Sequence, residues 1–131
     1  MAYLRPPLFA RRIFNPLAMR FGIGGSRALT VPGRRTGRLQ RVPVIPVEYA
    51  GARYLVSPRG ETDWVRNLRA AGQGELGGRE GSEQFRATEV PVEDRPAIIA
   101  AYRAVAGRAV KSLFQALPDP TDHPVFRIDA R

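Results

Sequence analysis

Gly33-Arg34-Arg35-Thr36-Gly37 sits between two apolar stretches, residues 28–31 and 42–47, and combines the residue types that an anion-binding bend requires. Glycine at each end frees the backbone for a tight turn, while two guanidiniums and a hydroxyl supply donors to an anion held there. A phosphate is the expected occupant. A solvated basic hairpin turn uses the same residues, so the surroundings must decide between the two.

Other chemical groups are few. His123 is the single histidine; it stands directly before Pro124 without an acidic or nucleophilic partner in its motif. A histidine-based hydrolytic triad would rest on that one residue. The absence of cysteine removes disulfides, thiolate metal sites and a cysteine nucleophile. Carboxylates are scattered, and Glu93-Asp94 reads as negative charge favouring a helix start, so no metal is expected. Any chemistry then belongs to a bound organic cofactor, with the protein supplying binding and orientation.

The 131 residues, 44% of them hydrophobic, suit one domain able to bury its own core. The net charge is +9, and Lys111 is the only lysine among 21 basic residues. Arginine makes planar, multi-donor contacts with phosphates and carboxylates, so an anionic partner is expected. Nucleic acid is not: the arginines are not interleaved with stacking aromatics, and no recognition helix is evident. No apolar run reaches membrane-spanning length.

The elements that must position these groups can be read in order. Residues 1–25 form an amphipathic basic segment. Leu8, Phe9, Ile13, Phe14, Leu17, Met19 and Phe21 alternate with Arg5, Arg11, Arg12 and Arg20, and Pro16 marks a kink. Arginine interrupts it too often for a signal-peptide core. It suits a helix on its own domain, a lid over a lipophilic pocket, or a peripheral membrane contact through residues 1–21. The domain proper, residues 26–131, opens with strands at 27–31, 41–49 and 53–57, the last two a hairpin about Gly51. Pro43 and Pro46 cannot donate to a ladder, which makes 41–49 an edge or bulged strand.

Thr62 offers an N-cap for a helix over 63–71, in which Trp64, Val65 and Leu68 recur at helical spacing. Residues 73–78 and 82–90 form a further hairpin, and its glycines do not open a helix, so the dinucleotide-fold fingerprint is unmet. Ile98, Ile99, Tyr102 and Val105 line one core stripe that Gly107 closes; Val110, Leu113, Phe114 and Leu117 line another. Residues 124–128 supply a last strand.

Leu29-Thr30, the basic loop, Val42-Pro43-Val44, the strand from Tyr54 to Ser57, and Trp64-x-x-Asn67-Leu68 follow one another as in the deazaflavin-dependent nitroreductase family, which this chain resembles from about residue 28 to 128. The resemblance implies an α+β, mainly β fold: a split β-barrel of the FMN-binding, pyridoxamine-phosphate-oxidase-like type with flanking helices. It implies coenzyme F420 as cofactor, with FMN as the alternative. By position, Arg34, Arg35, Thr36 and Gly37 would meet the coenzyme's phosphate and tail. Arg41, Val42, Pro43 and Val44 would approach the ring, Ser57 would serve as the catalytic residue beside Pro58 and Arg59, and Trp64 and Asn67 would shape the cleft.

Three departures bear on that carry-over. Gln40 stands where many members have arginine, and Arg41 comes one place later, on the opposite face of a regular strand. Pro58 rather than a basic residue follows Ser57. The tyrosine-rich segment tied to nitroimidazole reduction is replaced by residues 107–115, which contain no tyrosine, so that activity is not expected. The expected function is hydride transfer from reduced F420 to a small apolar acceptor, a quinone or activated alkene. A non-catalytic F420 carrier stays open, as does the choice between monomer and homodimer. Cytoplasmic residence, with or without contact at the inner membrane face, is expected.

Overall fold

The structure is a computed structural model that describes residues 25–78 and 81–131. The amphipathic basic segment expected over residues 1–25 therefore lies outside the described residues, Gly25 excepted. Among the described residues no helix is long and apolar enough to cross a membrane.

Seven strands form one antiparallel sheet: β1 Arg27–Pro32, β2 Leu39–Val44, β3 Val47–Tyr49, β4 Ala52–Val56, β5 Gln73–Gly78, β6 Gly81–Glu89 and β7 Val125–Ala130. Their order across the sheet is β2-β1-β5-β6-β7-β4-β3. The strand expected over 41–49 is thus two strands, divided at Ile45 and Pro46, and its halves occupy opposite edges. Seven strands about 4.8 Å apart would separate those edges by about 29 Å if flat. Three Cα steps from Val44 to Val47 reach at most about 11 Å. The sheet therefore rolls until its edges meet, as a split β-barrel. Pro43 does make β2 an edge, but without a bulge: its six residues pair in unbroken register with β1. Ala50 and Gly51 both have positive φ, 51° and 81°, the geometry of a two-residue hairpin turn between β3 and β4.

Three helices flank the barrel: α1 Asp63–Ala71, α2 Arg95–Ala106 and α3 Arg108–Ala116. Helix α1 packs on β1, β5 and β6, whereas α2 packs on β3, β4 and β7, so the two stand on either side of the closing seam. The amphipathic stripe of α1 sends Val65 and Leu68 into a core with Leu29, Val31, Leu76, Phe85 and Phe126. Ile98, Ile99 and Tyr102 of α2 and Phe114 of α3 form a second core with Val47, Val56 and Val125. Val105, expected in that stripe, is 56% exposed: it falls on the outer side of α2.

Charge pairs brace this frame. Glu83 on β6 takes a bidentate contact from Arg53 on β4, at 2.6 and 3.0 Å, and a longer one of 3.4 Å from Arg27 on β1. It ties together strands that are not neighbours in the sheet. The hydrogen-bonded Arg53 guanidinium, chiefly, holds the Glu83 carboxyl below the usual carboxylate range. Arg69 of α1 bridges Glu61 and Glu89, and Glu89 in turn meets the buried Arg95 of α2. Helices on the two sides of the seam are thereby linked through the end of β6.

The basic loop between β1 and β2 is held just as firmly. The Gly33 N–H donates to the Arg38 carbonyl and the Gly37 N–H to the Gly33 carbonyl, with Gly37 at φ 75°. Thr36 Oγ1 accepts from the Arg38 N–H. Asn67, 1% exposed on α1, is the clamp. Its Oδ1 accepts from the Arg34 N–H at 3.0 Å and from Arg34 Nη1 at 2.8 Å, and its Nδ2 donates to Gln40 Oε1 at 3.2 Å.

Two outcomes follow from these contacts. A carboxyl with a depressed folded-state pKa contributes stability above its unfolded value, near 4.3 for glutamate, and loses it as pH falls through the folded value. Glu83→Gln is expected to lower Tm at pH 7 and to flatten the fall of Tm below about pH 4.3; an unchanged acid limb would remove Glu83 from the frame. Asn67→Ala strips partners from Arg34 and Gln40, at an expected cost of about 1–3 kcal/mol by chemical denaturation. Trypsin should also cut faster after Arg34 and Arg35; wild-type stability and cleavage would contradict the clamp.

Candidate functional site

A cleft of about 590 Å³ opens along the barrel seam. Its size falls within the roughly 300–1,000 Å³ of small-molecule sites. One wall is the edge strand β2, from Gln40 through Val44, continued by Ile45; the floor is Val56 and Ser57 at the end of β4. The start of α1 supplies Thr62, Asp63 and Trp64, and Tyr102 comes from α2 on the other side.

The placement of the expected site residues divides in two. Arg41, Val42, Pro43, Val44, Ser57, Pro58, Arg59 and Trp64 all line the cleft. At the sheet's edge neither Gln40 nor Arg41 is excluded by strand alternation: both border it. Arg34, Arg35, Thr36, Gly37 and Asn67 do not line it and form the adjacent rim. Arg34 turns toward α1, where its Nη2 lies 3.5 Å from the cleft residue Asp63. Arg35 is exposed. The Thr36 hydroxyl is engaged within the loop.

Ser57 is fully buried, and its hydrogen bonds explain why it is held so firmly. Its N–H donates to the Pro124 carbonyl, its carbonyl faces His123 Nδ1 at 2.9 Å, and its hydroxyl donates to the Gly60 carbonyl at 2.5 Å. The hydroxyl's proton is thus committed to the turn, and its lone pairs are what it can offer a ligand. His123 is fully buried, stacks on Phe114 with centroids 4.2 Å apart, and its Nε2 meets the Leu117 carbonyl. It is structural, locking the turn that carries Ser57.

Thr62 stands at the N-cap position but its hydroxyl makes no capping bond, a departure from the expected role. Thr62 Oγ1 is a buried oxygen without a hydrogen-bond partner among the described residues. The first turn of α1 also has amide N–H groups with no intrahelical acceptor. An unspent hydroxyl beside unspent amides, with Arg41 and Arg59 bordering the same space, suits an acidic or carbonyl-rich ligand. Trp64 is half-buried: its ring tilts against Phe126, centroids 6.2 Å apart, while the residue also faces the cleft.

Tyr102 and Thr62 are two of the cleft residues that the sequence did not single out for the site. Tyr102 lay in an apolar stripe and read as core, although its phenol was the one polar group in that stripe. Thr62 reads as a cap in sequence, because only the fold shows that its hydroxyl makes no bond to the helix amides. Among the described residues no group of histidine, cysteine and carboxylate side chains could hold a metal ion.

Comparison with known proteins bears on this geometry. The model of the F420H(2)-dependent quinone reductase family matches residues 10–115. No curated protein matches the chain in sequence. Among solved structures, an F420-H2 dependent reductase (FDR-A) superposes with a TM-score of 0.58 at 20% identity, covering 80% of this chain and 94% of its own. A NimC/NimA family protein from Clostridium acetobutylicum gives 0.56 at 15% identity, covering 79% and 72%. The heme storage protein HutZ from Vibrio cholerae gives 0.54 at 14% identity, covering 83% of each chain. At such identities the superpositions establish the shared split-barrel fold, and the family match, over most of the chain, establishes kinship. The chain belongs to the F420H(2)-dependent quinone reductase family.

Proposed function

We propose that this protein is an F420-dependent oxidoreductase that reduces a small apolar acceptor, a quinone or an activated alkene, in the seam cleft. The observation that carries the reading is the cleft of suitable size between a proline-interrupted strand edge and the start of α1, with the buried, partnerless Thr62 hydroxyl beside it. Those residues fit an anionic, carbonyl-rich tricyclic coenzyme. When bound, the reduced deazaflavin supplies a hydride.

The chain's own residues bind and orient. Arg35 and Arg41 meet the coenzyme's acidic tail, and Arg34, held by Asn67 and Asp63, fixes the loop that presents them. Val42, Pro43 and Val44 give the ring an apolar edge, and Trp64 gives it a flat neighbour. Ser57 accepts through its lone pairs and sets the level of the floor. Burial of Val44 and Val56 keeps that end dry, which strengthens every polar contact made there. A heme reading, suggested by the fold shared with HutZ, has less support: His123 is sealed in the core with both ring nitrogens against carbonyls.

The deciding experiment is fluorescence titration of purified protein with F420 and with FMN, followed by oxidation of reduced F420 over a panel of quinones and enones. F420 should bind more tightly than FMN and be turned over. Tighter FMN binding would move the assignment to a flavin enzyme, and binding without turnover would favour a carrier. Arg35→Ala with Arg41→Ala should weaken F420 about five- to tenfold and flatten its salt dependence, since fewer exposed charges remain to be screened. Ser57→Ala should lower turnover with little loss of coenzyme affinity; wild-type kinetics would remove Ser57 from the reacting end.

A further inference from the structure

The two ends of the cleft differ in chemistry. Toward α1 lie Thr62, Asp63, Arg41 and Arg59; toward α2 lie Ile45, Val56 and Tyr102. Ile45 and Val56 pack with Tyr102 in the second core, and they set its phenol among apolar side chains. The residue is 3% exposed and belongs to the second core, its ring tilted against Phe114 with centroids 6.2 Å apart. Burial pushes its hydroxyl well above the ordinary phenol range, so it stays protonated and can donate throughout the physiological pH range.

That hydroxyl has no hydrogen-bond partner among the described residues. Tyr102 lines the cleft from the α2 side. The phenol thus belongs to a residue that borders the cleft. A phenol oriented by packing in a buried, apolar setting and without an acceptor is a donor available to a ligand oxygen.

We infer that Tyr102 determines acceptor specificity by donating a hydrogen bond from its hydroxyl to a carbonyl oxygen of an otherwise apolar acceptor seated at the α2 end of the cleft. The inference rests on the oxidoreductase reading and deepens it by selecting carbonyl-bearing acceptors over pure hydrocarbons. As the acceptor is reduced, negative charge gathers on that oxygen, and a fixed donor in a dry site stabilises it without being consumed. The surrounding Ile45 and Val56 match the hydrocarbon portion.

The test is equilibrium dialysis of the protein with menadione, a naphthoquinone, and with 2-methylnaphthalene, similar in shape but without carbonyls, in the absence and presence of saturating oxidised F420. Wild-type protein should prefer menadione by about tenfold, the worth of one good hydrogen bond. Tyr102→Phe should abolish the preference while leaving the affinities for 2-methylnaphthalene and F420 unchanged. Arg103→Ala, an exposed change on the same helix, should leave the preference intact. Retention of the preference in Tyr102→Phe would overturn the inference and leave the oxidoreductase reading standing. Failure of wild-type protein to prefer menadione would also overturn it, whereas failure to bind F420 would bring down the parent reading itself.

Discussion

The short link through Ile45 and Pro46 governs the architecture. It joins the two outermost strands of a seven-stranded sheet, and a chain so short can do that only if the sheet rolls closed. Closure leaves a seam instead of a continuous ladder, because Pro43 has no N–H to give and β2 and β3 do not pair. The seam is where a ligand can enter a barrel whose interior is otherwise filled by Leu29, Leu55, Phe85 and Phe126. Fold and site thus have one origin.

A seam is also a weakness, and the molecule braces it on both sides. The chain of contacts from Glu61 through Arg69 and Glu89 to Arg95 connects α1 to α2 around the end of β6. Arg95 is itself buried and donates to the Val90 carbonyl, joining the start of α2 to the end of the strand. Such pairs add little stability when exposed, but here they fix geometry. The two ends of the cleft are held at a set separation, and the Asn67 clamp sets the rim on the α1 side. Precision at the site comes from residues that do not touch its contents.

Much of this was legible in the sequence. The helix over 63–71, its apolar stripe and its end before Gly72 followed from periodicity and a turn residue. The glycine-arginine loop, both central hairpins and the edge character of β2 followed from glycine and proline chemistry. What could not be read was tertiary. Nothing local in residues 41–49 reveals that one apolar run serves two distant edges. Nothing in Trp64-x-x-Asn67 shows the amide turned toward Arg34 and away from the cleft. Tyr102 was hidden for the same reason: an apolar stripe looks alike whether it meets only core or also borders a cavity. Composition pointed to an anionic partner but not to its place, and Arg34 and Arg35, the centre of the basic loop, stand beside the cleft without lining it.

The most direct measurement of the central claim is a crystal structure of the protein with F420 bound. The expected result is the deazaflavin ring in the seam, its edge against Val42, Pro43 and Val44, with the acidic tail running past Arg41 toward the basic loop. A ring bound outside the seam would contradict it.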